Sequence, residues 1–474
     1  MNDNKFHANE KREIEMEMEM KIDKLKTVKK IMSTLLILII VGLSGFPAFA
    51  ASPTLLQCDI NNDGIINLSD LIEMNKHMSQ TGTAGWIKED VDKNGIVQVC
   101  DMMFVANHFG ETVPQIDKAR IQKLSITYSS SMDDSENQKF IASHFDILNC
   151  PASYQTDAAS VKAINPNIKI IGYYDSIMMS TTYSDWNEVT THESWFIHDT
   201  QGNRVQPLGY PTNYIMKPNS GWSNYFAQRC KTLLTNYPQF DGIFADGIPT
   251  DLYDDGLVFT VPYSKIPSEV INNWGTWMYN HIQNIKTTIG NDLLVPNAYK
   301  HTQYCQGITH IHFWENFIHG RSKAYNENGY GTDGWDYGLL AIDLLHAQAE
   351  LGNTIAVNSG CENADSHPVQ AKQWMLFTYA CFSFAVVDPN KAYYSWQFFD
   401  SDSTQGYYSE MDTTLGQPKG DYYHVSGTAR VYARQFANYY VAANLDLLGT
   451  AKVTFTLNGA SHTLSPRTAV IIPK

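Results

Sequence analysis

Two stretches of this chain gather oxygen-bearing side chains at a spacing that suits a hard cation. The first runs Asp59-Ile60-Asn61-Asn62-Asp63-Gly64-Ile65-Ile66-Asn67-Leu68-Ser69-Asp70. The second, 31 residues on, runs Asp90-Val91-Asp92-Lys93-Asn94-Gly95-Ile96-Val97-Gln98-Val99-Cys100-Asp101. In both, positions 1, 3, 5, 9 and 12 carry a side-chain oxygen, and position 7 offers its backbone carbonyl. Ca²⁺ takes about six to eight hard oxygens, so a chain that binds it must wrap tightly. Glycine at position 6 permits that turn, where a Cβ would block it. The expected ligands are Asp59, Asn61, Asp63, Ile65, Asn67 and Asp70 in one site, and Asp90, Asp92, Asn94, Ile96, Gln98 and Asp101 in the other. Without the cation, the acids of each loop repel one another and the segment should loosen.

A second set of acids stands where apolar runs end. Phe240-Asp241-Gly242-Ile243-Phe244-Ala245 leads into Asp246-Gly247, and His312-Phe313-Trp314 leads into Glu315-Asn316. Other runs end Gly172-Tyr173-Tyr174-Asp175, Asn297-Ala298-Tyr299 and Asn358-Ser359-Gly360. Two carboxyl groups flanking a glycosidic bond can break it, one as nucleophile or base and the other as acid. Asp246 is the expected nucleophile, kept ionised by donors such as Tyr173 and Asn297. Glu315 is the expected acid/base, its pKa raised by desolvation against Trp314 or Phe313. Asp175 competes for either role, and Tyr173, Asp175, Asn297, His312, Trp314 and Asn358 are expected to touch substrate. The structural alternatives are an ion pair of Glu315 with Arg321 or Lys300, a turn or cap role for Asp241, and local backbone partners for His312 and His367.

These acids need a scaffold that brings strand ends together. Strand-like runs cover Leu124–Tyr128, Phe145–Asn149, Ile168–Tyr174, Gly242–Asp246, Leu293–Asn297, Thr309–Trp314, Thr354–Asn358 and Phe382–Val387. Helical periodicity intervenes at Trp222–Leu234, Val270–Thr288, Leu339–Leu351 and Val369–Ala380. Eight strands alternating with helices predict an α/β fold, a (β/α)8 TIM barrel over 120–427. A doubly wound sheet is the alternative, disfavoured by the strand count and the lack of a G-x-G-x-x-G turn. In a barrel the chemistry sits at the carboxyl ends of the strands, where the acids above stand. Residues 428–474 break into short β runs punctuated by Gly449, Asn458-Gly459 and Pro466, and predict a small C-terminal β-sheet domain.

Residues 55–112 resemble a dockerin. Each loop leads into an apolar-periodic helix, the helix before each loop is short or missing, and Asp stands at position 12 where an EF-hand has Glu. The resemblance implies a small α-helical module with paired calcium loops that grips a cohesin on a scaffold or cell surface. The expected contact positions are Leu68-Ser69 and Val99-Cys100, which are not alike. Residues 120–474 resemble the hypothetical glycosyl hydrolase 15-like family. The resemblance is carried by Trp195-Phe196-Ile197-His198-Asp199 with Gly202, by Phe240 through Asp246, and by Ala433-Arg434-Gln435-Phe436-Ala437-Asn438. It implies a barrel related to retaining glycosidases, among them α-galactosidase-like and polygalactosaminidase-like barrels, with an Asp nucleophile on the fourth strand.

Lys24, Lys26, Lys29 and Lys30 precede the apolar run Met32–Leu43 and Ala48-Phe49-Ala50, the pattern of a secretory signal peptide over residues 1–50. The apolar run is short for a membrane span, so the expected mature protein is secreted and carries no span, and a cohesin could hold it at a surface. Residues 1–50 hold eight Lys/Arg and seven Asp/Glu, so their removal takes the formal charge from −15 to −16. An acidic surface excludes nucleic acid as a natural partner. Seven cysteines include no CxxC pair, which argues against zinc; Cys58 and Cys100 are expected either to pair or to be separate buried thiols. The chemistry points to a glycoside hydrolase acting on a polysaccharide or oligosaccharide with no catalytic cofactor. A non-catalytic carbohydrate-binding barrel and a calcium-dependent surface or assembly protein are the competing readings.

Overall fold

The two acidic repeats fold into matching halves of a small module, followed by a barrel, in a computed structural model. The structure describes residues 55–61, 63–112, 117–127, 130–252, 259–298, 302–319, 338–361, 367–398 and 406–474. The expected signal peptide lies outside these residues, as do Lys300 and Arg321. The chain divides into two compact units, 1–115 and 116–474. Among the described residues, no helix is long and apolar enough to cross a membrane.

In the first unit, each loop feeds a short helix, α1 (Leu68–Asn75) and α2 (Val99–Asn107). The ninth loop residue, Asn67 or Gln98, is the N-cap of its helix. The twelfth, Asp70 or Asp101, closes a capping box from the third helical position. Leu71 and Met74 on α1 and Met102 and Val105 on α2 share one helical face each. They meet Cys58, Ile60, Ile66 and Val91 in the module's core.

The second unit is a (β/α)8 barrel. Its strands are β1 (Gln122–Ile126), β2 (Ile147–Pro151), β3 (Lys169–Asp175), β4 (Gly242–Asp246), β5 (Leu293–Pro296), β6 (Ile311–Trp314), β7 (Thr354–Cys361) and β8 (Ala392–Phe398). All pair in parallel, in the order β5-β4-β3-β2-β1-β8-β7-β6, and a parallel bridge between Asn297 and Phe313 joins the two edges. Helices α3 (Ser135–His144), α4 (Gln155–Ile164), α5 (Gly221–Asn236), α6 (Ser268–Ile289), α7 (Leu339–Glu350) and α8 (Pro368–Ala385) pack outside. Strand residues alternate between the barrel interior and the helix layer. Ile126, Ile171, Phe244, Val295 and Phe313 fill the interior, while Ile170, Ile243 and Leu294 face the helices. On α6, Val270, Trp274, Trp277, Ile282, Ile285 and Ile289 recur every three to five residues and form its buried stripe. Gly290, at φ 74°, ends that helix.

The eighth strand is not where the apolar run Phe382–Val387 predicts it. Residues 382–385 are the last turn of α8, and the strand is Ala392–Phe398. A short apolar run does not distinguish a buried strand from a buried helix. Here α8 is covered on both sides: it packs on β7 and β8 and also under the C-terminal sheet. That sheet has the order β9 (Tyr423–His424), β10 (Val431–Gln435), β11 (Tyr439–Asn444) and β14 (Ala469–Pro473), with a separate hairpin of β12 (Val453–Leu457) and β13 (Ala460–Leu464). Buried Arg434 on β10 ties the sheet to the barrel by donating to the carbonyls of Ser383, Phe384 and Val386 at 3.1, 2.6 and 2.6 Å. It thereby satisfies carbonyls that the end of α8 leaves open.

Candidate active site and metal loops

Strand alternation decides which predicted residues reach the mouth of the barrel. On β3, Ile171 and Tyr173 face inward, and on β4 Phe244 does; Asp175 and Asp246, two residues further on, extend the same inward rows. On β6, Ile311 and Phe313 belong to the interior, so Glu315 continues their row. His312 and Trp314 lie on the opposite face. Trp314 packs in the helix-side core with Phe317, Ile342 and Ile355, and His312 pairs in register with Ile355 of that core. Both are buried away from the mouth, which corrects their expected contact with substrate and the expected desolvation of Glu315 by Trp314.

Asp246 sits among three donors. The Tyr173 hydroxyl donates to Oδ2 at 2.6 Å, Asn297 Nδ2 to Oδ1 at 2.8 Å, and the Gly247 N–H to Oδ1 at 2.9 Å. Asn297 Nδ2 also donates to Glu315 Oε2 at 2.7 Å. One nitrogen thus bridges the two acids, and their bridged oxygens, 2.8 and 2.7 Å from it, are at most 5.5 Å apart.

The turn after Glu315 is held from the next strand. Asn358 Oδ1 accepts from the Asn316 N–H at 2.7 Å, and Asn358 Nδ2 donates to Gln397 Oε1 at 2.7 Å. Gln397 in turn donates to the Ile126 carbonyl at 3.2 Å. Asn358 therefore braces the Glu315 turn, a role different from the expected sugar contact. Asn316 and Ile318 adopt φ of 56° and 63°. Asparagine tolerates that basin, whereas a β-branched residue pays strain there.

Asp175 pairs in register with Asp246 and is only 7% exposed. Its Oδ1 accepts the N–H groups of Ile177 and Met178 at 3.1 and 2.7 Å. Burial, then the neighbouring Asp246 charge, pushes its pKa well above the usual carboxylate value, against those two hydrogen bonds. Asp241 stands at the other end of β4, paired with Lys162 and Lys169 at 2.8 and 3.0 Å and accepting from the Ile170 N–H. Burial pushes its pKa up, but these hydrogen bonds outweigh it and leave it below the usual range. That position fits the capping role predicted for it.

Two polar residues in the barrel escaped the sequence reading. Gln397 lies on the strand that the reading misplaced. Asn149, two residues beyond inward-facing Ile147, is fully buried, and neither atom of its amide group has a hydrogen-bond partner. An asparagine ending an apolar run reads equally well as a turn, so nothing in the sequence marks it.

The two acidic loops share one hydrogen-bond pattern. Asp59 accepts from the N–H of Asp63 and Gly64, as Asp90 does from Asn94 and Gly95. Asp70 accepts from Asn61 and Asn67, as Asp101 does from Asp92 and Gln98. Gly64 and Gly95 take φ of 87° and 88°, the left-handed turn that position 6 needs. In the second loop, ligand oxygens of Asp90, Asp92 and Asp101 all lie within 4.8 Å of one another. Burial pushes Asp101 up, with Asp92 and Asp90 adding repulsion against two backbone hydrogen bonds. Among the described residues, none of the three makes an ion pair with a side chain, so the donor set fits a hard cation. In the first loop position 3 is Asn61, and Asp59, Asp63 and Asp70 do not gather so closely. All seven cysteines are free thiols, so Cys58 and Cys100 do not pair; Cys58 is buried, but Cys100 is only half-buried.

A family model described as hypothetical glycosyl hydrolase family 15 matches residues 162–439, more than half of the chain. The chain belongs to that family. It is a glycoside hydrolase, and a dockerin type I domain matches residues 57–110, so the enzyme carries a dockerin. No curated protein matches. Solved structures with similar folds include the α-galactosidase TtGalA from Thermus thermophilus (8% identity, 71% of this chain and 69% of that one, TM-score 0.41). An α-amylase from Lactobacillus plantarum is similar at 10% identity over 74% of this chain and 98% of its own, with TM-score 0.41. The glycoside hydrolase domain of PelA from Pseudomonas aeruginosa is similar at 11% identity over 58% and 94%, with TM-score 0.37.

Proposed function

We propose that this protein is a secreted, retaining glycosidase of a polysaccharide or oligosaccharide, with Asp246 as nucleophile and Glu315 as acid/base. The observation that carries this reading is the Asn297 bridge, which limits the nearest oxygens of the two acids to 5.5 Å. Retaining enzymes hold their carboxyl groups about 5–5.5 Å apart, whereas inverting enzymes need about 6.5–9.5 Å to seat a water between them. Asp246 attacks the anomeric carbon while Glu315 protonates the departing oxygen. Glu315 then takes a proton from the water that hydrolyses the glycosyl-enzyme bond. With the Asn297 amide on Oε2 of Glu315, the transferable proton belongs on Oε1. Tyr173, Asn297 and the Gly247 N–H hold the Asp246 charge in place until it attacks.

The dockerin module supplies delivery in this reading. Asp59, Asn61, Asp63, Ile65, Asn67 and Asp70 would hold one Ca²⁺, and Asp90, Asp92, Asn94, Ile96, Gln98 and Asp101 the other. The metal would neutralise the gathered acids and fix the starts of α1 and α2. Leu68 and Ser69 are exposed at the start of α1, available to a cohesin on a scaffold or cell surface.

The test is a screen of polysaccharides and aryl glycosides with wild type and Asp246→Asn, followed by NMR of the first-formed product. Retained anomeric configuration and a loss of at least about 10³-fold in Asp246→Asn are expected. Inverted product would refute retention. Sugar binding without turnover in the wild type would favour the binding-only barrel.

A further inference from the structure

A buried carboxyl beside a nucleophilic carboxyl raises a question of proton inventory. Asp175 and Asp246 end adjacent strands, are register partners, and lie on the inward row. Gly247 locks them together. Its N–H bonds to Asp246 Oδ1, and at φ 67° a Cβ there would lie 3.1 Å from Asp175 Oδ1, so only glycine fits without strain. Two like charges on adjacent strand ends, one of them buried and the other half-buried, disfavour each other, and one proton is retained by the pair.

The surrounding groups decide which acid keeps it. Asp246 receives three donors spread over both oxygens. Asp175 receives two, both on Oδ1, and among the described residues its Oδ2 has no donor. This asymmetry matches a neutral acid, with Oδ1 as the accepting carbonyl and Oδ2 as the hydroxyl. Among the described residues, no cation pairs with Asp175 to hold it ionised. From the turn after β3, Tyr183 faces it with a phenol pushed up by burial and by Asp175 itself. From α5, Arg229 is spent elsewhere, 3.4 Å from Asp185 and over the rings of Tyr174 and Tyr183. From α6, His281, bonded to Ser223, is pushed down by burial to about 4 and is neutral.

We propose that Asp175 is a positioning residue that holds one proton at the barrel mouth and so leaves Asp246 as the anion that attacks substrate. The inference rests on the role given to Asp246 above and adds the group that keeps that role open. Asp175 touches no reacting atom. It acts by being neutral, while its carbonyl oxygen shapes the turn that follows β3.

Infrared spectroscopy of the full chain tests this without any turnover. In protein labelled with ¹³C at the aspartate carboxyls, a label-shifted carboxylic-acid band is expected at pH 7 in wild type and absent in Asp175→Asn. A wild-type spectrum with no such band overturns the proposal even if the variant fails to fold, and so does a band that persists in a folded Asp175→Asn. On a glycoside that the wild type hydrolyses, the acid limb of kcat/KM should stay in place in Asp175→Asn, because a neutral amide replaces a neutral acid. A downward move of that limb by about one pH unit or more would mean that a charge had been removed, which also overturns it. Failure to find any substrate would count against the glycosidase reading and leave the infrared result to stand alone.

Discussion

Acids are crowded at two places in this protein, and the two crowds are held in opposite ways. In the second acidic loop, Asp90, Asp92 and Asp101 come together from within twelve residues of chain, ringed by backbone N–H groups. At the barrel mouth, Asp175, Asp246 and Glu315 come from three strands, and neutral groups hold them: a phenol, an amide and backbone N–H groups. Among the described residues, the loop's acids are oriented by backbone N–H groups but face no side-chain cation, a state that suits a bound cation. The mouth distributes hydrogen bonds so that each acid differs from its neighbour, which is what the nucleophile and acid roles proposed for them need.

Chelation should separate the two most sharply. Removing Ca²⁺ is expected to melt the 55–112 module, visible as lost helical circular dichroism and a lost low-temperature calorimetric transition, while the barrel transition stays. Each site should contribute about 4 kcal/mol when free calcium stands about a thousandfold above its Kd. An unchanged module in chelator would break the comparison. Next in size, Asn297→Ala should lower kcat/KM by about 10²-fold with the fold intact, since it removes a donor from both acids at once. An effect confined to KM would mean that the bridge serves binding alone.

Asp241 offers a control at the far end of the same strand. Its carboxyl is held below the usual range, so its contribution to stability is present above about pH 4 and is lost as pH falls through its lowered folded value. Asp241→Asn should cost about 1–2 kcal/mol at pH 7, and the deficit should close in acid, as read by urea unfolding at several pH values. The smallest expected change has the opposite sign. Asn149→Leu replaces an amide with no partner by an apolar group of similar size, and should stabilise the barrel by roughly 1 kcal/mol in the same assay.

The two acidic loops were legible in the sequence because their residues are consecutive: one twelve-residue spacing specifies residue types, turn and helix cap together. Barrel class and the Asp246–Glu315 pairing were also legible, since each acid closes an apolar run. Facing was harder. His312 and Trp314 neighbour Glu315 in the chain, but strand alternation turns them to the helix layer, and a residue's side is fixed only once the register of β6 against β7 is known. The eighth strand was missed because α8 is apolar on nearly every side, a consequence of the C-terminal sheet packed over it. Gln397 was lost with that strand.

The backbone just beyond Glu315 bends through a basin where branched side chains seldom rest, at Asn316 and again at Ile318. A glycine at 318 would relax that bend by about 1–3 kcal/mol, but it would delete a side chain fully buried in the helix-side core, at a cost of about 2–5 kcal/mol. Relaxation would also free the glutamate to wander, because the bend and the Asn358–Gln397 relay are what aim it. Position 318 is therefore a poor place to look for a hardier enzyme: the core that fills around the branched side chain is also what keeps the bend in place.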